Sequence, residues 1–159
     1  MDLKRAWYSF RLMLISSGVK RTELLKKKHI FGAIGSNVMI QPRKIPLYAE
    51  RIFIGNNVRV ASNVTFITHD VIHNMLNNLP ADVTGGTAFK EKKGDITIGD
   101  NVFVGANTTI MYDVKIGNNV IIGAGSVVTK DIPDNSVCAG VPCKRIGSFD
   151  DFIRKRKGG

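Results

Sequence analysis

Residues 98–128 read, in units of six, Ile98-Gly-Asp-Asn-Val-Phe, Val104-Gly-Ala-Asn-Thr-Thr, Ile110-Met-Tyr-Asp-Val-Lys, Ile116-Gly-Asn-Asn-Val-Ile and Ile122-Gly-Ala-Gly-Ser-Val, with Val128 opening the next. An aliphatic residue opens every unit, and a small residue stands fifth. The same spacing appears upstream, clearly at Ile54, Val60 and Phe66 and more faintly at Ile34 and Ile40. A fixed internal period of this kind is typical of a solenoid.

A period of six fits neither the 3.6-residue period of an α-helix nor a long flat strand, but it does fit a short strand followed by a turn. The aliphatic residue is then expected to point inward. Gly-Asn and Asn-Asn are expected at the corners, because glycine and asparagine tolerate left-handed backbone. Three such sides close one triangular coil, and successive coils stack as parallel strands about 4.8 Å apart. The sequence therefore predicts an all-β solenoid, a parallel β-helix.

Two segments break the period. Residues 2–28 carry a helix-like apolar face among basic residues, with an interruption expected at 18–24 because Gly18 follows two serines. A long loop is expected at about 70–95, which contains Pro80 and the Gly85-Gly86 pair; loops of this length are often functional. We therefore predict a basic helical segment at 1–30, the β-helix domain with its inserted loop at 31–147, and a basic tail at 148–159 with a short helix at 148–157.

The net charge of +10 belongs to the chain ends. Residues 1–30 carry +6 and residues 144–159 carry +4, whereas residues 31–143 are neutral. Solvated ends, attraction to an anionic ligand and attraction to an anionic membrane surface are the open interpretations. The apolar N-terminal face allows either an amphipathic helix on a membrane or a cap over the end of the solenoid. Nucleic acid is not expected as a partner, because no nucleic-acid motif is present.

Composition narrows the class of protein. No apolar run reaches the roughly 18 residues of a membrane span, and Arg11 interrupts the N-terminal apolar stretch, which argues against a signal peptide. The two cysteines, Cys138 and Cys143, fit neither a disulfide framework nor a zinc site. We therefore expect a cytoplasmic protein with reduced thiols. Peripheral association with the inner face of the membrane is compatible with this location.

His69 is the candidate catalytic residue, because it lies where the first repeat tract gives way to the long loop. Histidine is the side chain best suited to accept a proton near neutral pH. A surface histidine at a coil corner is the alternative. His73 is interpreted as a loop residue or as a second polar group of the site, and His29 as a surface residue.

These features resemble the hexapeptide-repeat acyltransferases with a left-handed β-helix, and most closely the maltose, galactoside and polysaccharide O-acetyltransferases. The resemblance covers about residues 50–147. Its most specific elements are Gly-Ala-Gly-Ser-Val-Val-Thr-Lys-Asp-Ile-Pro at 123–133 and Ala-Gly-Val-Pro at 139–142. The left hand of the coil is implied by the resemblance, since general rules favour right-handed crossovers.

The resemblance implies a homotrimer with each active site between two subunits, acetyl-CoA as the acyl donor, and no metal. His69 matches the catalytic base of the family. The positions that match its coenzyme A contacts are Phe103, Ala106, Ala124, Thr129, Lys130 and Lys144. Phe103 stands where this branch usually has Trp. The next basic position of the galactoside enzyme falls on Gly147, with Arg145 two residues before it, so the resemblance does not fix the remaining phosphate contacts.

The predicted reaction is direct transfer of an acetyl group from acetyl-CoA to a hydroxyl of a sugar or cell-envelope saccharide, with His69 as general base. Asp70, a carboxylate from elsewhere or a carbonyl are the alternatives for the group that orients His69. N-acetylation of an amino sugar or nucleotide sugar is the alternative reaction. Less favoured are a metal-dependent hydratase of the γ-carbonic-anhydrase type, which needs about three histidine ligands, and a non-catalytic scaffold. The sequence lacks the Gly-x-Ser-x-Gly motif that would indicate a covalent serine intermediate.

Overall fold

Thirteen short strands run through residues 3–158, the part of the chain that this computed structural model describes. The strands are β1 Ala33–Ile34, β2 Met39–Ile40, β3 Ile52–Ile54, β4 Arg59–Val60, β5 Thr65–Phe66, β6 Ile96–Ile98, β7 Val102–Val104, β8 Thr109–Ile110, β9 Val114–Ile116, β10 Val120–Ile122, β11 Val127–Val128, β12 Ser136–Ala139 and β13 Lys144–Ser148. The helices are α1 Leu3–Leu14, α2 Gly18–Lys27, α3 Ile72–Leu76, α4 Ala81–Thr84 and α5 Phe149–Lys157.

The strands form three sheets, of order β1-β3-β6-β9, β2-β4-β7-β10-β12-β13 and β5-β8-β11. Neighbouring strands are parallel in all three sheets, except that β13 turns back antiparallel to β12. From β6 to β11 the chain visits the three sheets in strict rotation. Each of β6, β7 and β8 pairs with the strand 18 residues further on, as Val102 does with Val120 and Thr109 with Val127. Three units of six therefore complete one round, and the predicted parallel sheets are confirmed.

The spacing changes at three places, which explains why the period is faint in parts of the sequence. Met39 pairs with Arg59, 20 residues on, because the first round carries two extra residues. Thr65 pairs with Thr109, 44 residues on, because the excursion after β5 lies between them. Beyond β11 the round loses two residues.

The core is the stack of aliphatic residues that open the units. Ile98, Val104, Ile110, Ile116 and Ile122 are each at most 2% exposed, and the fifth residues of the units are buried as well. Each buried branched side chain contributes about 1.5–3 kcal/mol relative to its exposed state. Burial of these two positions out of six is what the repeat encodes.

The corners are built by asparagine in left-handed backbone. Asn57, Asn101 and Asn119 have φ of 54°, 58° and 53°. Their amides also join successive rounds: Asn57 Nδ2 donates to Asn101 Oδ1 at 2.8 Å, and Asn101 Nδ2 donates to Asn119 Oδ1 at 2.9 Å. Asparagine therefore satisfies both the backbone conformation of the corner and the polar groups exposed there.

The N-terminal segment is helical, as predicted, but its interruption is misplaced in the sequence prediction. Residues 18–27 form α2, and the break lies at 15–17. Ser17 caps α2, because its side chain accepts a hydrogen bond from the Lys20 N–H. Gly18 permits close packing on β2, since a Cβ there would lie 2.8 Å from Met39 Cγ. The serine pair thus begins a helix.

The excursion between β5 and β6 contains α3 and α4. Its two ends meet at an antiparallel bridge between His69 and Lys93. The Asp70 N–H donates to the Lys92 carbonyl and the Gly94 N–H to the Thr68 carbonyl, both at 3.0 Å. The excursion therefore leaves and re-enters the sheets at a single neck. Within residues 3–158 no helix has the length and apolar character needed to cross a membrane.

Candidate active site

His69 lies at the neck of the excursion, three residues after the last residue of β5. It lines a cavity of about 760 Å³. The walls are the strand segment 62–68, the crossing segment 41–47 and side chains of α1 and α2. The hydroxyl of Thr68 donates to the Leu47 carbonyl and fastens two of these walls together. The predicted base therefore opens into a space large enough for a sugar-sized ligand.

Tyr48, Glu91 and Lys93 surround the imidazole of His69. The ring of Tyr48 meets that of His69 edge to face, with 5.3 Å between the centroids. The Tyr48 hydroxyl donates to Glu91 Oε2 at 2.8 Å, and Lys93 Nζ lies 3.0 Å from the same oxygen. Lys93 Nζ also lies 3.9 Å from the centre of the Tyr48 ring, a cation–π contact. A carboxylate is thus fixed beside the candidate base.

The charges of this cluster are stabilised by its own hydrogen bonds. The hydrogen bond from Tyr48, and then that from Lys93, holds the pKa of Glu91 below its ordinary value. Contacts with Tyr48 and Glu91 raise the pKa of Lys93. Glu91 and Lys93 therefore remain ionised around neutral pH.

Asp70 is engaged elsewhere. Its carboxylate accepts a hydrogen bond of 2.6 Å from the Tyr112 hydroxyl and one of 3.1 Å from the Ile72 N–H. The Tyr112 bond is the main cause of the lowered pKa of Asp70, and the hydrogen bond from the Ile72 N–H adds to it. Asp70 is thus held by Tyr112, whereas Glu91 accepts a hydrogen bond from the tyrosine whose ring contacts His69.

The ring nitrogen Nδ1 of His69 is bound by neither of these carboxylates. It is buried and has no hydrogen-bond partner among the described residues. His73 lies in α3, and its Nδ1 is likewise buried without a described partner.

Four of the predicted donor-side residues group around one corner. Phe103 is 45% exposed on β7, and Ala106 and Ala124 follow β7 and β10 at equivalent points of successive rounds, where the Gly125 N–H donates to the Ala106 carbonyl at 2.8 Å. Lys144 is exposed at the start of β13 and pairs with Ala139 of β12. The small residues leave this corner open to close approach by a ligand.

Thr129 and Lys130 directly follow β11, so they lie where the strands of the sheet β5-β8-β11 end, whereas Ala106 and Ala124 lie before β8 and β11 begin. The Ile67 N–H bonds to the Ile110 carbonyl and the Met111 N–H to the Val128 carbonyl, so Thr129 occupies the equivalent place of Ile67 two rounds on. Thr129 and Lys130 therefore lie at the same strand ends of this sheet as His69, which follows β5. The chain does not bring them together with the corner of Ala106 and Ala124.

Arg145 and the two cysteines form contacts within the chain. The guanidinium of Arg145 donates to the carbonyls of Gly147 and Asn135 at 3.2 and 3.3 Å. Burial raises the pKa of Cys138 to about 11 and also raises that of Cys143, so both are thiols at neutral pH. Within residues 3–158 no three His, Cys, Asp or Glu side chains form a metal-binding group.

Tyr48, Glu91 and Lys93 were missed by the sequence reasoning. Tyr48 precedes a short 3-10 turn outside the repeats, and Glu91 and Lys93 end a segment without a period. One signal was available. An excursion that leaves a regular stack and returns to it must bring its ends together, which places residues 91–93 beside His69.

Known proteins resemble this chain in sequence and in fold. A model of the bacterial transferase hexapeptide family (six repeats) matches residues 95–130. The galactoside O-acetyltransferase of Escherichia coli (strain K12) is 38% identical over 160 residues, which cover 93% of this chain and 78% of that protein. The chain belongs to the hexapeptide-repeat O-acetyltransferases. The resemblance drawn from the sequence, and with it the prediction of an acetyltransferase enzyme, is confirmed.

Two solved structures of this family extend the similarity over nearly the whole chain. A maltose O-acetyltransferase from Clostridium difficile 630 is 30% identical with a TM-score of 0.60, covering 92% of this chain and 87% of that one. A galactoside acetyltransferase solved in complex with coenzyme A is 29% identical with a TM-score of 0.60, covering 97% and 88%. The similarity in fold therefore extends over more than nine-tenths of this chain.

Proposed function

We propose that this hexapeptide-repeat O-acetyltransferase moves an acetyl group from acetyl-CoA to a hydroxyl of a saccharide, with His69 as the general base. The observation that carries the proposal is the placement of His69 in the lining of a cavity of about 760 Å³, with the ionised Glu91 held by Tyr48, whose ring contacts His69, and by Lys93. Family relatives that act on galactosides and maltose support a sugar acceptor.

The reaction proceeds by direct attack. Nε2 of His69 accepts the proton of the acceptor hydroxyl while that oxygen bonds to the thioester carbonyl carbon. The carbon–sulfur bond then breaks, and the coenzyme A thiolate leaves with the proton that the imidazolium returns. Glu91 stabilises the imidazolium by its negative charge and, through Tyr48, limits the orientations of the ring. The sugar ester and free coenzyme A are the products.

The acyl donor lies in a groove lined by the two groups of donor-side residues. Phe103 offers an apolar face to the pantetheine arm, and the small side chains of Ala106 and Ala124 admit it close to the backbone. Thr129 and Lys130 contact the donor from the edge that carries His69. Lys144 lies near the phosphates. A coenzyme A complex of a family member supports acetyl-CoA as the co-substrate.

The donor-side residues Ala106 and Ala124 lie at the strand starts of the sheet β5-β8-β11, and Thr129 and Lys130 lie at its strand ends. This arrangement supports a site shared between copies. Ala124 and Thr129 are five positions apart, so they are separated by at most roughly 16 Å of chain at about 3.3 Å per residue. In a cyclic trimer, the strand ends of this sheet in one copy lie beside the strand starts in the next copy. Such a contact joins two different surfaces and closes into a ring after three copies. We propose a homotrimer of left-handed β-helices, in which the three sheets are the sides of each coil.

The N-terminal helix gives the enzyme a second contact. Leu3, Trp7, Phe10 and Leu14 form an exposed apolar stripe on α1, while Leu12 on the opposite side is 1% exposed and belongs to the core. The stripe lies within the segment 1–30, whose charge is +6. We propose that α1 holds the enzyme on an anionic membrane surface, on the cytoplasmic side where acetyl-CoA is available.

The direct test is release of free coenzyme A from acetyl-CoA, measured against a panel of sugars, sugar phosphates, uronic acids and amino sugars. The proposal expects acceptor-dependent release and an ester product, identified by its lability in mild base. Transfer confined to amino groups contradicts O-acetylation, and absence of acetyl-CoA binding contradicts the acetyltransferase mechanism.

A further inference from the structure

The cavity beside His69 is lined with charge of one sign. Among the described residues of its walls, four side chains are cationic and none is a carboxylate. The four are Arg5, Arg21, Arg43 and Lys44. Carboxylates accept hydrogen bonds from sugar hydroxyls well, and this lining offers none. The electrostatic environment therefore favours a ligand that brings its own negative charge.

Arg21 supplies a fixed positive charge in the wall. Its side chain is 1% exposed. Its Nε–H donates to the Ile40 carbonyl at 3.3 Å, and its terminal nitrogens donate to the carbonyls of Ile15 and Ser16 and to the amide oxygen of Gln41. All of these acceptors are neutral. Arg21 thus shapes the cavity without having its charge cancelled by a carboxylate in residues 3–158.

Arg43 adds a second charge close to the first. The pKa of Arg21 is lowered by burial and, next in size, by the field of Arg43, so the two guanidinium groups repel each other across the wall. Arg43 and its neighbour Lys44 are exposed, and neither side chain forms a hydrogen bond or an ion pair with a described residue. An anion beside them relieves the repulsion and uses their free donors.

We propose that the acceptor is an anionic saccharide, whose phosphate or carboxylate group is bound by Arg43 and Lys44 while its hydroxyl meets His69. This inference rests on the proposed function and names the substrate class of the same cavity. A volume of about 760 Å³ accommodates one sugar with a charged substituent. Arginine suits either anion, because its planar fork binds both phosphate and carboxylate oxygens in pairs.

The test compares acceptors that differ in charge and share a sugar ring. The acceptors are galactose, galactose 1-phosphate, UDP-galactose and galacturonic acid. Full-length enzyme is assayed by coenzyme A release, and binding of each acceptor without acetyl-CoA is measured by calorimetry. We expect kcat/KM and affinity to favour at least one anionic acceptor over galactose by about tenfold or more, and the preference to shrink as salt rises. The phosphate and carboxylate arms identify which anion is recognised.

Variants then assign the effect to the cavity. The double variant Arg43→Glu/Lys44→Glu is expected to raise KM for the anionic acceptor by about tenfold or more, and to lower the ratio of kcat/KM for the anionic acceptor to kcat/KM for galactose by about the same factor. Lys27→Glu, on the exposed end of α2 and outside the cavity lining, is the control for surface charge. Arg43→Lys keeps the charge and is expected to retain part of the preference.

The outcomes separate this inference from the proposed function. Equal affinity and equal kcat/KM for galactose and all anionic acceptors overturn the anionic assignment while leaving acetyl transfer intact. Equal losses on neutral and anionic acceptors in the double variant overturn it too. Failure to bind acetyl-CoA overturns the proposed function, whereas the calorimetric comparison of acceptors still decides whether the cavity prefers an anion.

Discussion

The imidazole of His69 and the phenol ring of Tyr48 meet edge to face, with 5.3 Å between their centroids and planes at 82°. The hydroxyl of the same Tyr48 donates to Glu91 Oε2 at 2.8 Å. Tyr48 thus contacts the candidate base with its ring and holds the nearby carboxylate with its hydroxyl. Because its backbone adopts φ 52° at the start of a short 3-10 turn, its position is set by the local chain conformation.

Replacement of His69 by Ala is expected to lower kcat by about 10²–10⁴-fold, the range typical for loss of a general base. The thermal midpoint should change little, because His69 lies at a surface neck outside the aliphatic stack. Steady-state coenzyme A release and thermal unfolding measure the two effects. His29→Asn, an exposed histidine with φ 48° that asparagine tolerates, is the matched control. Near-normal turnover in His69→Ala rules out the assignment.

Glu91→Gln and Tyr48→Phe test the positioning of His69. Each is expected to lower kcat by about tenfold with little change in KM, since a misoriented base loses part of the contribution of proton transfer. The lowered pKa of Glu91 keeps it ionised over the neutral range. In Glu91→Gln the acidic limb of the kcat profile should therefore move to lower pH, because a negative charge beside the base is lost.

Glu91→Asp is the conservative counterpart and should restore the wild-type position of that limb. A purely structural role for Glu91 predicts a lower thermal midpoint with an unshifted profile. That result would remove Glu91 from the mechanism.

The repeat predicted most of the fold, because burial is encoded at two of every six positions. Ile98 and Val102 are buried and Asn101 turns the corner, as the pattern indicated. The interruption predicted at 18–24 was wrong, because whether a Ser-Ser-Gly stretch interrupts or begins a helix depends on the serine cap and on packing against β2. Glu91 escaped prediction because its role depends on the closure of the excursion, and no periodic signal marks that contact.

The Asp70–Tyr112 hydrogen bond is expected to stabilise the neck of the excursion in a pH-dependent way. The pKa of Asp70 is lowered in the folded protein, so its contribution is present above the unfolded value of about 3.9 and is lost as pH falls through the folded value. Asp70→Asn should lower the thermal midpoint at pH 7, with a difference from wild type that shrinks below about pH 4. Circular dichroism melts at several pH values measure it. A difference that grows on acidification contradicts the assignment.

The oligomeric state is open to a direct measurement. Light scattering should give three times 17.5 kDa for the purified chain. An active species of one chain mass contradicts the shared site.

Mixed trimers test the sharing itself. Ala124→Trp is expected to block the donor corner before β11, whereas His69→Ala removes the base, which lies at the opposite strand ends of the same sheet. If one copy supplies the base and the next supplies the corner, refolded equimolar mixtures of these two inactive variants should recover about a quarter of wild-type activity, since random assembly leaves that share of interfaces intact. Each variant refolded alone is the control. Absence of recovery indicates that both residues serve the site of a single copy.

The apolar stripe of α1 is expected to bind anionic membranes. Trp7 and Phe10 are 58% and 53% exposed, and their rings stack with 6.2 Å between centroids. Basic side chains on the same helix add electrostatic attraction that salt screens. Full-length enzyme should co-float at low salt with vesicles containing anionic phospholipid, should float less as salt rises, and should stay in solution with purely zwitterionic vesicles.

The variant Trp7→Ser/Phe10→Ser should abolish flotation while activity on a free acceptor persists, because the core contact of α1 through Leu12 is retained. Ile72→Ser/Met75→Ser removes a comparable exposed apolar pair from α3 and serves as the control that should still float. A stripe that instead packs between copies predicts that the Trp7/Phe10 variant changes the oligomer mass and that wild type does not float. A stripe that only caps the solenoid predicts lower thermal stability, again without flotation. Because each interpretation changes a different observable, wild-type enzyme that remains in solution at low salt excludes the membrane contact.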